Sequence, residues 1–172
     1  LPVENEASCA VRVVLTKNGV PLEGSDVRLR PVGVEERSGS HRVGRRTDED
    51  GVVEGVVPRI GECTAHLFID GVSFPAPGRF RVEGTTTEIS IDLVVGRLAI
   101  APPQGRAWPK AGVVQVTVTP HGDVHRATHH HLQLASGVPY DPRGTSASDD
   151  AGRAVLSFVP PGDGHLSVEI ES

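Results

Sequence analysis

Methionine is absent from this 172-residue sequence, and aromatic residues make up only 3% of it. With so few aromatic rings, a hydrophobic core has to be built mainly from Val, Leu, Ile and Ala. Apolar runs are short as well, and none approaches the roughly 20 residues that a membrane-spanning helix needs. Insertion into a membrane is therefore not expected. A chain that starts at Leu1 and holds no methionine is expected to be a processed product or a fragment.

A concentration of charge of one sign is also missing. The net charge is −5, and acidic and basic residues are interspersed without a basic cluster. Nucleic-acid binding relies on such a cluster, so the composition excludes a nucleic-acid partner. The sequence also lacks the G-x-S-x-G turn of serine hydrolases and the glycine-rich phosphate loop of nucleotide-binding enzymes. We therefore predict no enzymatic activity, no catalytic residue and no cofactor.

Glycine and proline are abundant instead, with 20 and 14 residues. Such a density of turn-forming residues leaves little room for long helices. Between the turns, apolar residues alternate with polar ones, for example around Val13, Leu29, Ile91, Val116 and Val168. A period of two places one face of a strand on a core and the other in water, which is typical of antiparallel sheets. The sequence therefore predicts an all-β fold of short strands arranged as β-sandwiches.

Three signals occur in the same order in the two halves of the chain. The first is Pro-x-x-Gly, at residues 21–24 and 109–112. The second is an alternating strand that ends in Pro and Gly, written "VRLRPVG" and then "VTVTPHG". The third is an acidic turn, "TDEDG" and then "SDDAG", which ends at Gly51 and at Gly152. Three matches in the same order predict an internal duplication.

We accordingly predict two tandem antiparallel β-sandwiches, at residues 1–95 and 96–172. The boundary is placed near Gly96 because residues 89–95 close the first domain and "RLAIA" opens the second almost at once. The second domain has no segment that matches this closing strand, so we expect it to be looser and one strand short. Residues 166–170 are then expected to form a sheet edge with unpaired backbone groups, which is a template for another strand.

The motifs of the first half resemble a known group of domains. The order "NGVPLEGSDVRL", "TDEDGVVEGVVPRIGECTAHLFIDG" and "TEISIDLVV" is similar to the carboxypeptidase-regulatory-like and Cna B-type domains of the transthyretin-like (prealbumin-like) β-sandwich group. The second half matches more loosely, and Cys63 and Gly164 stand where these families usually have an aromatic residue. The resemblance implies an Ig-like, non-catalytic structural or adhesive module. It also implies a secreted, cell-surface or periplasmic protein whose partners are other protein segments or surface components.

Cys9 and Cys63 are the only cysteines, and the alternation points both toward the interior of the first domain. A disulfide between them would close a loop of about 55 residues and stabilise the fold by roughly 3–4 kcal/mol. Two buried free thiols are the alternative, because the sequence does not supply the separation of the Cα atoms. A catalytic thiol is not expected, since an apolar face suppresses formation of the thiolate.

Histidines are concentrated in an insertion of the second half, around residues 121–131. In an extended segment His129 and His131 lie on one face, about 6.6–7 Å apart, and His165 lies on the outer face of its own strand. Two imidazoles and a third from a neighbouring segment could hold Zn²⁺ or Cu²⁺. The alternative is a set of surface histidines on a polar insertion. The histidines of this insertion are His121, His125, His129, His130 and His131.

The insertion offers an alternative function, the binding of a metal or a carbohydrate. For a metal, no carboxylate or cysteine lies at a confirming spacing. For a carbohydrate, the stacking rings available are Trp108 and Tyr140, and Trp108 beside Pro109 also suits the closed end of a sandwich.

The acidic turn at residues 47–51 has some features of a calcium loop. Calcium needs six or more oxygen ligands, and the spaced D-x-D-x-D-G pattern with a distant Glu is missing here. We predict a hairpin turn, in which the aspartate accepts hydrogen bonds from its own backbone and the glycine takes a positive φ. The same is predicted for residues 148–152.

Overall fold

The computed structural model describes residues 7–33, 39–69, 72–121, 126–141 and 148–171. Regular structure in these ranges is almost entirely β-strand, with one turn of 3-10 helix at Pro103–Gly105, so the predicted all-β fold is confirmed. No helix in the described ranges has the length and apolar character to span a membrane. The strands are β1 (Ser8–Lys17), β2 (Val20–Pro21), β3 (Asp26–Pro31), β4 (His41–Val43), β5 (Val52–Pro58), β6 (Gly61–Ile69), β7 (Val72–Pro75), β8 (Phe80–Val82), β9 (Thr86–Leu93), β10 (Gly96–Ile100), β11 (Ala111–Pro120), β12 (Thr128–Ala135), β13 (Val138–Tyr140), β14 (Ala154–Val159) and β15 (Gly164–Glu171).

The strands form two compact units. Unit 1 takes in the described residues up to Ile69 together with Pro75–Leu93. Unit 2 takes in the described residues from Val94 onward, and the short segment within Asp70–Phe74 also belongs to it. The finer assignment of two transthyretin-like domains, at residues 1–95 and 96–172, stays a prediction.

Unit 1 contains two sheets. In the first, β1 lies between β5 and β9, and β2 pairs with the end of β1. In the second, β4, β3, β6 and β8 lie side by side. The strand faces that the alternation predicted to point inward are buried in both sheets. They include Val11, Val13 and Leu15 of β1, Val27 and Leu29 of β3, Cys63, Ala65, Leu67 and Ile69 of β6, and Ile89, Ile91 and Leu93 of β9.

The first and last strands of unit 1 form a parallel ladder. Strands β1 and β9 pair over eight consecutive positions, from Ala10 opposite Thr86 to Lys17 opposite Leu93. The other ladders of unit 1 among the described residues are antiparallel. Alternation of apolar residues did not predict this direction, because side chains alternate with the same period in parallel and antiparallel strands.

Unit 2 also contains two sheets. Strand β11 lies between β15 and β12, and on the other side of β12 lie β13 and β7, whose Ser73 pairs with His129. The second sheet consists of β10 and β14. Aliphatic side chains and one indole form the core between these strands. The buried core residues are Trp108, Val114, Val116, Val118, Leu132, Leu134, Ala154 and Leu156.

The two units share one pattern of strand pairing. The order β4-β3-β6 in unit 1 corresponds to β12-β11-β15 in unit 2, and the pair β1–β5 corresponds to β10–β14. Within the described part of unit 2, no strand takes the place of β8 or of β9. The described part of unit 2 therefore lacks a counterpart of the closing strand β9, as predicted.

Candidate binding site

The acidic turn of unit 1 is a hairpin turn held by its own backbone. The Asp48 carboxylate oxygen Oδ1 accepts hydrogen bonds from the N–H groups of Asp50 at 3.1 Å and Val52 at 2.8 Å. Gly51 has a φ of 73°, a conformation that glycine adopts without steric cost. These contacts confirm the predicted turn and show that an oxygen of Asp48 is engaged by backbone donors.

The matching turn of unit 2 repeats this geometry. The Asp149 oxygen Oδ1 accepts hydrogen bonds from the N–H groups of Ala151 at 3.1 Å and Arg153 at 2.9 Å, and Gly152 has a φ of 72°. The hydrogen bond from the backbone of Arg153 is the main cause that lowers the pKa of Asp149. The same carboxylate therefore serves the same structural role in both units.

Both cysteines lie in the core of unit 1. Cys9 and Cys63 are unbridged thiols, and each is fully buried. The sulfur of Cys9 lies 3.3 Å from Oγ1 of Thr87. Burial, with a smaller effect of the Glu62 carboxylate, raises the pKa of Cys63 to about 11, so this thiol stays protonated and unreactive at neutral pH. A disulfide between the two residues stays a prediction.

The structure brings two of the three proposed metal ligands onto one face. His129 and His131 lie on the exposed face of β12, and Nδ1 of His129 is 3.2 Å from Oγ1 of Thr117. His165 is paired with Thr119 on the far side of β11, so a whole strand separates it from β12. Two strand spacings separate the backbones of β12 and β15 by roughly 10 Å.

No group of three metal-binding side chains occurs in the ranges that the structure describes. Of the other histidines in the insertion, His121 follows β11, and His125 lies outside the described residues. Metal binding by His129, His131 and His165 stays a prediction.

His130 is a core residue, which the sequence-based prediction of surface histidines did not include. His130 is only 2% exposed, and its Nε2 lies 3.2 Å from Oγ1 of the buried Thr128. Burial, together with the neighbouring His129 and His131, lowers the pKa of His130 to about 4. The signal was present in the sequence, because the alternation that turns His129 outward places His130 on the same face as Leu132.

The two aromatic rings that were considered for sugar stacking differ in exposure. Trp108 is 5% exposed, packs into the core of unit 2 and donates a hydrogen bond from Nε1 to the carbonyl oxygen of Gly152 at 2.9 Å. Its ring faces are therefore covered by protein. Tyr140 is half-exposed and donates a hydrogen bond to Oε1 of Gln133 at 2.6 Å. Binding of a carbohydrate stays a prediction, and of the two rings only that of Tyr140 is exposed.

Strand β15 lies at the edge of its sheet. Among the described residues this strand pairs only with β11, so its other edge is unpaired. Its inward-facing side chains are incompletely covered: Leu166 is 46% exposed, and Val168 and Ile170 are half-buried. The corresponding side chains of β6 in unit 1, which include Ala65 and Leu67, are at most 2% exposed.

Strand β10 also has an unpaired edge among the described residues. In the described part of the chain β10 pairs only with β14. Ile100 pairs with the residue two positions after the turn glycine of unit 2, as Val13 does in unit 1, so Ile100 corresponds to Val13 and Leu98 corresponds to Val11. Val11 and Val13 are at most 2% exposed, whereas Leu98 and Ile100 are only half-buried.

The edge of β15 at residues 166–170 is unpaired among the described residues, as predicted, but unit 1 shows a different place for the missing strand. The missing closing strand was expected to leave the edge at residues 166–170 unpaired. In unit 1, however, the closing strand β9 pairs with β1, and the edge of β6 is covered by β8 instead. A counterpart of β9 in unit 2 would therefore pair with β10 and not with β15.

No protein-family model and no curated protein matches the sequence. Among solved structures, the chain is similar to a streptococcal ancillary pilin, with 15% identity and a TM-score of 0.37 over 98% of this chain and 54% of that chain. It is also similar to the Bacillus anthracis TIE protein, with 14% identity and a TM-score of 0.33 over 95% of this chain and 28% of that chain. For the shaft pilin spaA from Lactobacillus rhamnosus GG the identity is 8% and the TM-score 0.29, over 95% of this chain and 87% of that chain.

The chain thus spans about half the length of the first of these proteins and about a quarter of the second. Identities and TM-scores of this size do not assign the chain to a family.

Proposed function

We propose that this chain is a non-catalytic, load-bearing structural module of a secreted or cell-surface protein. The observation that carries the proposal is the parallel ladder between β1 and β9, because it joins the strand at which unit 1 begins to the strand at which unit 1 ends. A module inside an extended surface protein is pulled at these two points. The geometry of the strands that receive this load decides how well the module resists it.

In the β1–β9 ladder the load acts along the strands. A pull on the start of β1 and on the end of β9 slides the two parallel strands past each other in opposite directions. All eight paired positions are then loaded at once, whereas a hairpin pulled at its open end loses its hydrogen bonds one after another. Each backbone hydrogen bond contributes only about 1 kcal/mol, so simultaneous loading is what makes such a ladder strong.

Side chains add an ion pair and hydrogen bonds between β1, the turn that follows it and β9. Arg12 of β1 forms an ion pair with Glu88 of β9 at 3.0 Å. The Asp92 carboxylate of β9 accepts hydrogen bonds from the Thr16 hydroxyl at 2.6 Å and from the Gly19 N–H at 2.9 Å. These contacts lower the pKa of Asp92, with the bond from Thr16 as the main cause. The links lie on the exposed face, while the inner face of the ladder is shielded from water by the core.

The proposal is tested by pulling the full chain in two directions with a single-molecule force instrument. Handles attached through Ala7→Cys and Val94→Cys load the ladder along the strands. Handles attached through Val20→Cys and Val94→Cys pull at the ends of β1 and β9 that lie side by side, and so unzip the ladder. All three positions are exposed, whereas the native cysteines are buried, so the handles attach selectively.

We expect unit 1 to unfold at a clearly higher force in the first geometry than in the second, since forced unfolding is governed by the barrier along the direction of pulling. The two variants share one attachment point and the same fold, so each serves as the control for the other. Equal unfolding forces would contradict a load-bearing role for this ladder.

A further inference from the structure

We propose that Asn18 is a site of spontaneous deamidation, and that the hydrogen bond from the Gly19 N–H to the Asp92 carboxylate keeps it unreactive while unit 1 is folded. This inference does not depend on the load-bearing function. It rests on the turn that joins β1 to β2 and on the side chain of β9 that reaches this turn.

An asparagine that precedes a glycine is chemically labile, because glycine has no side chain to hinder the ring that forms. The chain has two asparagines, Asn5 and Asn18, and only Asn18 is followed by glycine. In the reaction the Gly19 nitrogen loses its proton and attacks the side-chain carbonyl carbon of Asn18. A C–N bond forms, and the side-chain NH2 group takes up a proton from water and leaves as ammonia. Water then opens the resulting succinimide to aspartate or, at the other carbonyl, to isoaspartate.

Asn18 and Gly19 form an exposed two-residue turn. Lys17 pairs with Val20, and the two residues between them have φ values of 51° and 80°. Positive φ at both central positions defines a type I′ turn, which suits the twist of the two strands that it joins. Both residues of the turn are exposed, so the water that the reaction consumes can reach them. The lability of Asn18 is therefore decided by what restrains the Gly19 nitrogen.

Strand β9 restrains this nitrogen directly. Oδ1 of Asp92 accepts a hydrogen bond from the Gly19 N–H at 2.9 Å and another from the Thr16 hydroxyl at 2.6 Å. The N–H of Asn18 donates to the carbonyl oxygen of Leu93 at 2.9 Å, so the turn is held to β9 at two points. The peptide plane between Asn18 and Gly19 has to rotate before the ring can close. That rotation breaks the hydrogen bond to Asp92.

The charge of Asp92 opposes the first step as well. Loss of the proton leaves a negative charge on the Gly19 nitrogen, 2.9 Å from the carboxylate oxygen, and like charges at this distance repel. The carboxylate is also a weak base for this proton, because its hydrogen bonds, above all the one from Thr16, lower the pKa of Asp92. Asp92 therefore slows the reaction and does not catalyse it.

Opening of unit 1 removes this protection, and the reaction then changes the turn permanently. Either product adds a carboxylate to the turn beside Asp92. Isoaspartate also lengthens the backbone by one carbon atom, which a two-residue connection between Lys17 and Val20 does not accommodate. A chain that has reacted therefore closes this end of the β1–β9 ladder less well. The modification is thus an irreversible mark of a unit 1 that has been open.

The rate of deamidation in the full chain at neutral pH tests the protection. Peptide mass spectrometry detects the mass increase that accompanies replacement of NH2 by OH, and chromatography separates the aspartate and isoaspartate products. The reference is the same chain unfolded in guanidinium chloride. We expect Asn18 to react at least about tenfold more slowly in the folded chain, since it then reacts only through rare opening of unit 1. Equal rates in the two states would overturn the proposal.

Two variants on the exposed face of β9 identify the protecting group. Asp92→Ala removes the acceptor of the Gly19 N–H, and we expect deamidation of the folded chain to be at least about threefold faster. The matched control is Glu88→Ala, which removes an ion pair with Arg12 from the same face and leaves the turn intact. It should leave the rate unchanged, and circular dichroism checks that both variants are folded. Equal acceleration in both variants would assign the protection to the ladder as a whole, and a slower reaction in Asp92→Ala would make Asp92 a base. Either result overturns the proposal.

A second asparagine–glycine pair tests the role of the carboxylate without disturbing β9. Ser136 and Gly137 form the same kind of turn between β12 and β13, with φ values of 52° and 77°. The Gly137 N–H donates to an uncharged acceptor, the carbonyl oxygen of Lys110, at 3.4 Å. In Ser136→Asn we expect the introduced asparagine to react at least about threefold faster than Asn18 of the same molecule. An equal or slower reaction would show that the turn protects without a carboxylate, and the proposal would be wrong.

Discussion

Replacement of His130 by glutamine is expected to remove a large part of the acid sensitivity of unit 2. The imidazole is 2% exposed and lies 3.2 Å from the hydroxyl of Thr128. Burial, and to a smaller extent the neighbouring His129 and His131, lower the pKa of His130 from 6.5 to about 4. The folded protein therefore holds this side chain in its neutral form at neutral pH. Glutamine retains hydrogen-bonding groups but does not titrate.

The magnitude follows from the two pKa values. Below pH 6.5 the unfolded chain binds a proton at His130 that the folded chain does not bind, so the free energy of unfolding falls as the pH decreases. The loss ends near pH 4, where the folded form is protonated as well. With about 1.4 kcal/mol for each pKa unit, the whole effect is roughly 3 kcal/mol, of which about 2 kcal/mol is lost by pH 5.

Urea unfolding at pH 7.5 and pH 5, followed by tryptophan fluorescence, measures this effect. Trp108 is the only tryptophan and packs in the core of unit 2, so its signal reports on the unit that contains His130. The loss of stability between the two pH values should be about 2 kcal/mol smaller in His130→Gln than in the unmodified protein. The control is His165→Gln, at an exposed histidine of the same unit, which should retain the full loss. An equal loss in the protein and in His130→Gln would refute the reasoning.

Two further predictions concern the turns and the thiols. Gly51 and Gly152 have nearly the same backbone conformation, with φ values of 73° and 72°. A Cβ added at Gly51 would collide with the backbone oxygen of Leu15, whereas a Cβ added at Gly152 would meet no atom within 4 Å. We expect Gly152→Ala to cost about 1–2 kcal/mol in urea unfolding and Gly51→Ala clearly more, and equal costs would contradict the difference in contacts. Cys9 and Cys63 should react with iodoacetamide only after unfolding, because both are buried. Rapid labelling of the native protein would disprove their burial, and an intact mass lower by two hydrogens would demonstrate a disulfide.

Local features of the fold could be predicted because they depend on short stretches of sequence. The period of two identified the inward faces of most strands, including Val13 of β1 and Leu132 of β12. The acidic turns were predicted for the same reason, since Asp48 and Asp149 form their hydrogen bonds within four residues of themselves. Such contacts are specified by the residues at the turn and need no information about distant strands.

Features that depend on neighbouring strands could not be predicted in the same way. Alternation states which face of β9 is buried but not that β9 pairs in parallel with β1, because both directions bury the same side chains. For the same reason alternation did not show that the missing strand of unit 2 corresponds to a neighbour of β10 and not of β15. Alternation likewise predicted that His165 lies on an outer face, but it did not show that β11 separates His165 from β12.

The repeated strand pattern lets each unit act as a control for the other. Strands β6 and β15 alternate alike, yet Ala65 is 2% exposed and Leu166, at the matching position, is 46% exposed. A leucine contributes more apolar area than an alanine, so unit 2 carries the larger side chain at the position with the poorer cover.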